Sequence, residues 1–170
     1  MINSIYTPRL AMHPVSTNDV DFILALLNSE GWLQNIGDRG VKTEAQAIEY
    51  IETKIHKMYR DKGLGTLKIV LRESGIPIGV CGLIRRDGLE HADIGFALLP
   101  EFYGKGFAKE AAMAVMEDAI RRKMMNKVQG ITLPWNLASI AVLKHLGMQQ
   151  VGTVRLPNDP EALLLFEKEI

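Results

Sequence analysis

The run Ala92-Asp93-Ile94-Gly95-Phe96-Ala97-Leu98-Leu99, closed by Pro100 and followed by Tyr103-Gly104-Lys105-Gly106-Phe107-Ala108, governs how the rest of this chain is read. Its first half has the composition of a strand, and after the glycines Ala108, Ala111, Ala112, Val115 and Ala119 recur at helical spacing. Gly104 and Gly106 therefore sit where a strand becomes a helix. Without Cβ atoms they let backbone N–H groups turn toward a bound oxygen, and the unpaired amides and positive dipole end of a starting helix favour an anion there. Lys105 and Lys109 add positive charge. A G-x-G turn has a second reading, because many strand-to-helix corners need glycine simply to turn.

Beyond this helix a strand is expected over 128–133, reached by a helical crossover and hence parallel to the strand at 92–99. A short helix over 137–146 then stops at Gly147, the usual C′ residue, and strands at 149–154 and 162–166 finish the chain. On the N-terminal side, strands at 66–71 and 76–84, turning at Glu73-Ser74-Gly75 and Asp87-Gly88, form an antiparallel meander with 92–99. A first strand is expected over 9–13. Ser16-Thr17-Asn18-Asp19 opens a helix bearing Val20, Ile23, Leu24 and Leu27 and ending near Asn28. Thr43-Glu44-Ala45-Gln46 opens a second, with Ala47, Ile48, Ile51, Ile55 and Met58 on one face. The segment 32–40, with turn residues around two apolar anchors, reads as an ordered loop bordering a pocket.

The 170 residues suit a single domain spanning 1–170, and their 20 basic and 20 acidic side chains describe an ordinary globular protein. Net neutrality argues against direct nucleic-acid binding driven by phosphate neutralisation. The single cysteine, Cys81, excludes a disulfide framework and reads as buried packing. The first residues lack the basic start and apolar stretch of a signal peptide, and no apolar run is long enough to span a bilayer. A cytoplasmic protein without a membrane partner is expected, monomeric or homodimeric. His13, His56 and His145 are too scattered for a metal site, and none is expected.

Three separated features agree: the Asp93-Ile94-Gly95-Phe96 strand, the Gly104-x-Gly106-x-Ala108 turn, and Asn136-x-x-Ser139-x-x-Val142-x-x-x-x-Gly147-Met148. Together they resemble the GNAT superfamily of N-acetyltransferases. Thr7-Pro8-Arg9-Leu10, Asn35-Ile36-Gly37-Asp38-Arg39 and Tyr103-Gly104-Lys105-Gly106-Phe107-Ala108 resemble its RimJ/RimL-type branch, whose members acetylate ribosomal-protein N-termini. The resemblance covers nearly the whole chain. It implies an α+β fold: a central, mostly antiparallel twisted sheet with a parallel, splayed strand pair and flanking helices. It also implies acetyl-CoA as co-substrate, with the pyrophosphate on Gly104, Lys105, Gly106, Phe107 and Ala108 beside Lys109, and the pantetheine along Phe96, Ala97 and Leu98. Tyr103 departs from the Gln or Arg that often opens this turn, leaving more of the contact to backbone amides and lysines.

Asp93 has two readings. Histone-acetylating members carry a glutamate general base at the corresponding position, but a free carboxylate of pKa ~3.9 is a poor base for an ammonium unless burial raises it or water relays the proton. The alternative is an ion pair with Arg85 or Arg86 across the hairpin. Glu90 and His91 are nearby substitutes, each adjoining a turn. Asn136 either caps the last helix or also touches the cofactor arm. The resemblance places the Ser139 hydroxyl near the departing sulfur; other branches use a tyrosine at the position held here by Leu143, which closes that route. Trp32 and Trp135 read as core aromatics. The expected reaction is direct attack of a primary amine on the thioester, with N–H groups near Leu98 steadying the oxyanion. A protein or peptide N-terminal α-amine is the first choice of acceptor. A small amine such as an amino acid, polyamine or aminoglycoside is the alternative, and a catalytically silent CoA-binding sensor is a third. Phosphate binding of the Walker type lacks its motif, and the Rossmann pattern is incomplete after Gly106.

Overall fold

A computed structural model describes residues 2–170. Eight strands, β1 (Ile5–Tyr6), β2 (Leu10–Pro14), β3 (Gly65–Leu71), β4 (Pro77–Ile84), β5 (Asp93–Leu98), β6 (Lys127–Thr132), β7 (Gln149–Val154) and β8 (Leu163–Glu169), form one sheet. Their order is β1-β2-β3-β4-β5-β6-β8-β7, and β5–β6 is the parallel neighbour pair. The expected meander and the crossover between β5 and β6 are both present, with strand ends shifted by one to three residues.

Helix α5 (Phe107–Arg121) is the crossover and covers one face of the sheet. Its Ala111, Ala112, Val115 and Ala119 pack with Met12, Ile69, Cys81, Leu83, Ile94 and Phe166. The small alanines let the helix axis approach the strands closely. The other face is covered by α1 (Val20–Leu27) and α3 (Glu44–Tyr50), the latter continued by a π-helical segment (Ile51–His56) and α4 (Lys57–Lys62). Ile23, Leu26, Leu27, Ala47, Ile51, Ile55 and Val80 form the core there. Val80 points to this side while Cys81 and Leu83 point to the other, as strand alternation requires, so β4 is buried on both faces.

Both expected capping boxes are present. Ser16 Oγ accepts from the Asn18 amide at 3.2 Å while Asp19 accepts from the Ser16 amide at 2.8 Å, and Thr43 and Gln46 exchange the equivalent pair. Two readings need correction. Residues 32–40 are not all loop, because α2 (Glu30–Asn35) occupies the first part, with the Asn35 side chain donating back to the Gly31 carbonyl at 3.0 Å. Ile48 is exposed, because a wide π turn carries the inward face through Ala47, Ile51 and Ile55. Among the described residues no helix is long and apolar enough to cross a membrane.

The feature that positions the site is the poor pairing of β5 with β6. Each of β5's and β6's antiparallel neighbours matches it over six positions, whereas β5 and β6 meet at Asp93 and Gln129 alone, where the Gln129 amide donates to the Ala92 carbonyl at 2.9 Å. Beyond this contact the two strands diverge toward their carboxyl ends.

Candidate active site

The divergence opens a cavity of about 720 Å³ that runs from the glycine turn, along β5, to α2 and α3. Because Ala92 faces β6 through its carbonyl and the Leu99 amide faces β4, donating to Ile78 at 2.8 Å, alternation turns the backbone of Ile94, Phe96 and Leu98 toward β6, and past the single Asp93–Gln129 bridge the amides and carbonyls of Phe96 and Leu98 lie on an unpaired edge. Ala97, by the same parity, spends its backbone on β4 and presents only its side chain to the cavity. An open strand edge in a cavity is a template for an extended amide-bearing ligand.

At the end of β5 the chain passes through a 3₁₀ turn (Pro100–Phe102) and then Gly104 and Gly106, both left-handed with φ of 73° and 78°. Gly106 is the N-cap of α5 and supplies no side-chain cap. Among the described residues the amides from Gly104 to Lys109 have no backbone acceptor, since the first bond of the helix runs from the Glu110 amide to the Gly106 carbonyl. Gly104, Gly106, Phe107, Ala108 and Lys109 line the cavity. Lys105 does not: its ammonium lies 5.7 Å from the Phe102 ring centre, and its carbonyl accepts from Arg9 Nη1 at 3.0 Å. Tyr103 leans from the turn toward α2, where a Cβ on Gly31 would lie 1.9 Å from its hydroxyl.

The turn is braced from behind by residues distant in sequence. Glu110, in the first turn of α5, accepts from Arg9 Nε and Thr7 Oγ1, each at 2.6 Å, and from the Arg9 amide at 3.1 Å. The Arg9 guanidinium also lies 4.5 Å from the Phe107 ring centre. Burial acts to raise the Glu110 carboxyl, but the hydrogen bonds from Thr7 and Arg9 outweigh it and hold the pKa below the ordinary carboxylate range. The sequence reading missed this brace; the Thr7-Pro8-Arg9-Leu10 motif was its only local signal.

On the far wall, Asp93 is 1 % exposed and receives Arg86 Nε at 3.1 and 3.0 Å on its two oxygens, so the ion-pair reading holds for its geometry. Arg85 instead donates to the Glu90 carbonyl at 2.8 Å. Burial pushes the Asp93 carboxyl up, with Arg86 opposing. Glu90 and His91 lie outside the cavity lining, with the His91 amide held by Gln129 at 2.9 Å. Cys81 is fully buried and its thiol pKa is pushed up by burial, which removes it as a nucleophile.

The third wall is α6 (Leu137–His145), whose N-cap Asn136 accepts from the Ser139 amide at 3.2 Å. Asn136 and Ser139 both line the cavity, whereas Leu143 is buried in the core. Trp32 lines the cavity with its buried indole N–H unpartnered, and Trp135 is 61 % exposed, which corrects its reading as a core residue. Thr132, at the end of β6, also carries a buried hydroxyl without a partner. No group of three or more metal-ligating side chains is assembled among the described residues.

The chain matches the family model for an acetyltransferase (GNAT) domain over residues 9–149. It is 24% identical over 155 residues, 91% of this chain and 86% of the relative, to a protein of Bacillus licheniformis named uncharacterized N-acetyltransferase p20. Its fold superposes on RimL, a ribosomal L7/L12 α-N-protein acetyltransferase solved with coenzyme A, with a TM-score of 0.84 at 19% identity, covering 99% of this chain and 98% of that one. An acetyltransferase from Salmonella typhimurium described as modifying the N-terminal serine of L7/L12 superposes with a TM-score of 0.80 at 19% identity, covering 99% of both chains. Members of this family use acetyl-CoA. The splayed β5–β6 pair, the uncapped α5 amides and the matched domain lead to one conclusion: this chain belongs to the GNAT family and is an acetyltransferase.

Proposed function

We propose that this acetyltransferase moves the acetyl group of acetyl-CoA to the α-amine of a protein or peptide N-terminus. The observation that carries the reading is the continuity, within one cavity, of an unpaired strand edge and an uncapped helix start. Acetyl-CoA supplies the activated thioester. The amides of Gly104 to Lys109, with the Lys109 ammonium, suit its diphosphate, and the edge groups of Phe96 and Leu98 suit the pantetheine amides. The Leu98 N–H is the donor for the thioester oxygen as charge gathers there. Lys105 contributes its amide and its carbonyl brace rather than its ammonium.

The acceptor nitrogen forms the C–N bond as the C–S bond breaks, the sulfur takes the electron pair, and the nitrogen's surplus proton leaves through water. Ser139, at the start of α6, is the hydroxyl for protonating the sulfur, and Asn136 holds that helix end in place. Asp93 stands five residues before Leu98, roughly 16 Å of strand, so it acts on the amine's proton through intervening water. Already bound to Arg86, it is suited to an amine that deprotonates readily. An α-amine of pKa ~8 does so, while a lysine amine near ~10.4 is over a hundredfold less often free at neutral pH.

The test is thiol release by purified protein and acetyl-CoA with peptides offering a free N-terminus, the same peptides blocked there but carrying lysine, and polyamines. Preference for the free N-terminus is the expected result; turnover of blocked peptides or polyamines alone refutes it. Gly106→Val should weaken acetyl-CoA binding at least about tenfold, because a φ of 78° strains a branched residue by ~1–3 kcal/mol. Calorimetry showing wild-type affinity would overturn the diphosphate assignment.

A further inference from the structure

The acceptor end of the cavity has a lopsided inventory of polar groups. Arg39, Tyr50, Arg86 and Trp32 line it, and all are hydrogen-bond donors; Asp93 is the one carboxylate in the lining. Asp93 is already taken, because both its oxygens receive Arg86 Nε. Arg86 thereby spends one edge of its guanidinium, and its terminal nitrogens are left for other partners, Nη2 lying 3.7 Å from where a Cβ on Gly95 would stand. It thus reaches along β5 in the direction of Leu98. Arg39 forms no ion pair among the described residues.

The backbone that carries Arg39 is nevertheless fixed, and its exposed side chain borders the cavity. Arg39 sits between Gly37 and Gly40, both with positive φ, in a turn locked by Asp38, which accepts from the Gly40 amide at 2.8 Å and pairs with Lys42 at 3.1 Å. Arg39, Arg86 and Tyr50 line the same end of the cavity; burial raises the Tyr50 hydroxyl, and the charges of Arg39 and Arg86 oppose that rise. The buried Trp32 indole N–H, one helix earlier, has no acceptor among the described residues. A polycationic amine would meet two positive charges and no carboxylate other than the Arg86-bound Asp93. An anionic oxygen group would meet two guanidinium forks and two further donors, the arrangement in which arginine recognises carboxylates best.

We propose that the acceptor carries a carboxylate a few bonds from its reacting amine, and that Arg39, with the free edge of Arg86, is the specificity determinant that holds it. This rests on the acetyl-transfer reading and narrows it. Two sources offer this chemistry: a free α-amino acid, and a peptide N-terminus whose first or second residue is Asp or Glu. Spermidine-like acceptors are selected against, because like charges inside the cleft are not offset by any unpaired acid.

The test measures kcat/KM by thiol release for matched acceptor pairs on the full-length protein. One arm compares amino acids with their amides; the other compares peptides beginning with Asp or Glu with their Asn or Gln counterparts. The anionic member should be favoured about tenfold or more in at least one arm, which names the source. Arg39→Ala should bring that ratio close to unity through KM, while Arg85→Ala, whose side chain lies outside the cavity, should leave it unchanged. Ratios near unity in both arms of the wild type, or a ratio unaffected by Arg39→Ala, overturn the proposal. A parallel titration of CoA-saturated protein with the N-acetylated acids and their amides reads the same contact without turnover. Discrimination in that titration with no thiol release for any acceptor would uphold the anion site and refute acetyl transfer; equal binding would refute the site.

Discussion

Asp93 and Ser139 are the two side chains whose roles can be separated by kinetics. Ser139→Ala should lower kcat about a hundredfold or more, the range of a single lost proton donor, with acetyl-CoA affinity near the wild-type value. Unchanged turnover would remove the hydroxyl from the reaction. For Asp93, burial dominates and the folded-state pKa lies above its ordinary value of ~3.9. The folded state therefore binds this proton more tightly than the unfolded one. As pH rises from the ordinary value through the raised one, ionising Asp93 subtracts stability, and Arg86 recovers part of the loss. Asp93→Asn should flatten that segment of the stability–pH curve. It also strands a guanidinium whose side chain is 28 % exposed, so the net loss at neutral pH should be at or below ~3 kcal/mol, the lower end for breaking a buried pair. Chemical denaturation at several pH values checks both slope and size. At this scale the glycines, the Asn136 cap and the Asp93 pairing alternatives were all legible in sequence, because each acts through its own backbone or a hairpin neighbour. The donor-rich group of Arg39, Tyr50, Arg86 and Trp32 was not, since its members belong to four different segments.

The start of α5 shows how an element is set by what lies behind it. Arg9 takes the Lys105 carbonyl, and because C=O and N–H point in opposite directions across a trans peptide, the Gly106 amide is turned away from Arg9. Glu110 holds Arg9 and Thr7 in turn, across a separation of about a hundred positions. Arg9→Ala should raise the KM for acetyl-CoA about tenfold, the cost of one lost charge-assisted hydrogen bond of ~1.5–3 kcal/mol, with little change in kcat. Acetyl-pantetheine, which has no diphosphate, separates positioning from general loosening: its KM should be insensitive to the substitution, and an equal loss for both donors would mean that Arg9 supports the fold alone. Capping boxes placed the starts of α1 and α3 correctly, as local hydrogen bonds do, while periodicity misplaced Ile48. Helix α2 was hidden because its six residues are short and bounded by turn-forming types, so that neighbours rather than propensity decide it.

Across the whole molecule, the cleft exists because β5 and β6 pair at one position and then separate, while α5 and the α1–α3 layer grip the β4–β5 side from opposite faces and α6 lies against β6. Ligand binding should therefore complete an interrupted sheet. Adding CoA at 100 times its Kd should contribute ~2.7 kcal/mol, a rise of roughly 5–10 °C in Tm for a chain of this size. In hydrogen exchange, the amides of Phe96 and Leu98 should gain protection on CoA addition while that of Ala97, already paired with β4, should not. Uniform protection of all three would contradict the assigned strand parity. The sequence by itself determined the succession of strands and helices apart from β1 and α2, the parallel crossover and the glycine turn, because periodicity, capping and positive φ are properties of neighbouring residues. Only the tertiary structure decided how far β5 and β6 splay, which cations keep their charge unpaired in the cleft, and that an arginine near the amino terminus orients a peptide bond at the start of α5. Those outcomes depend on distances between segments remote in the chain, which no local pattern encodes.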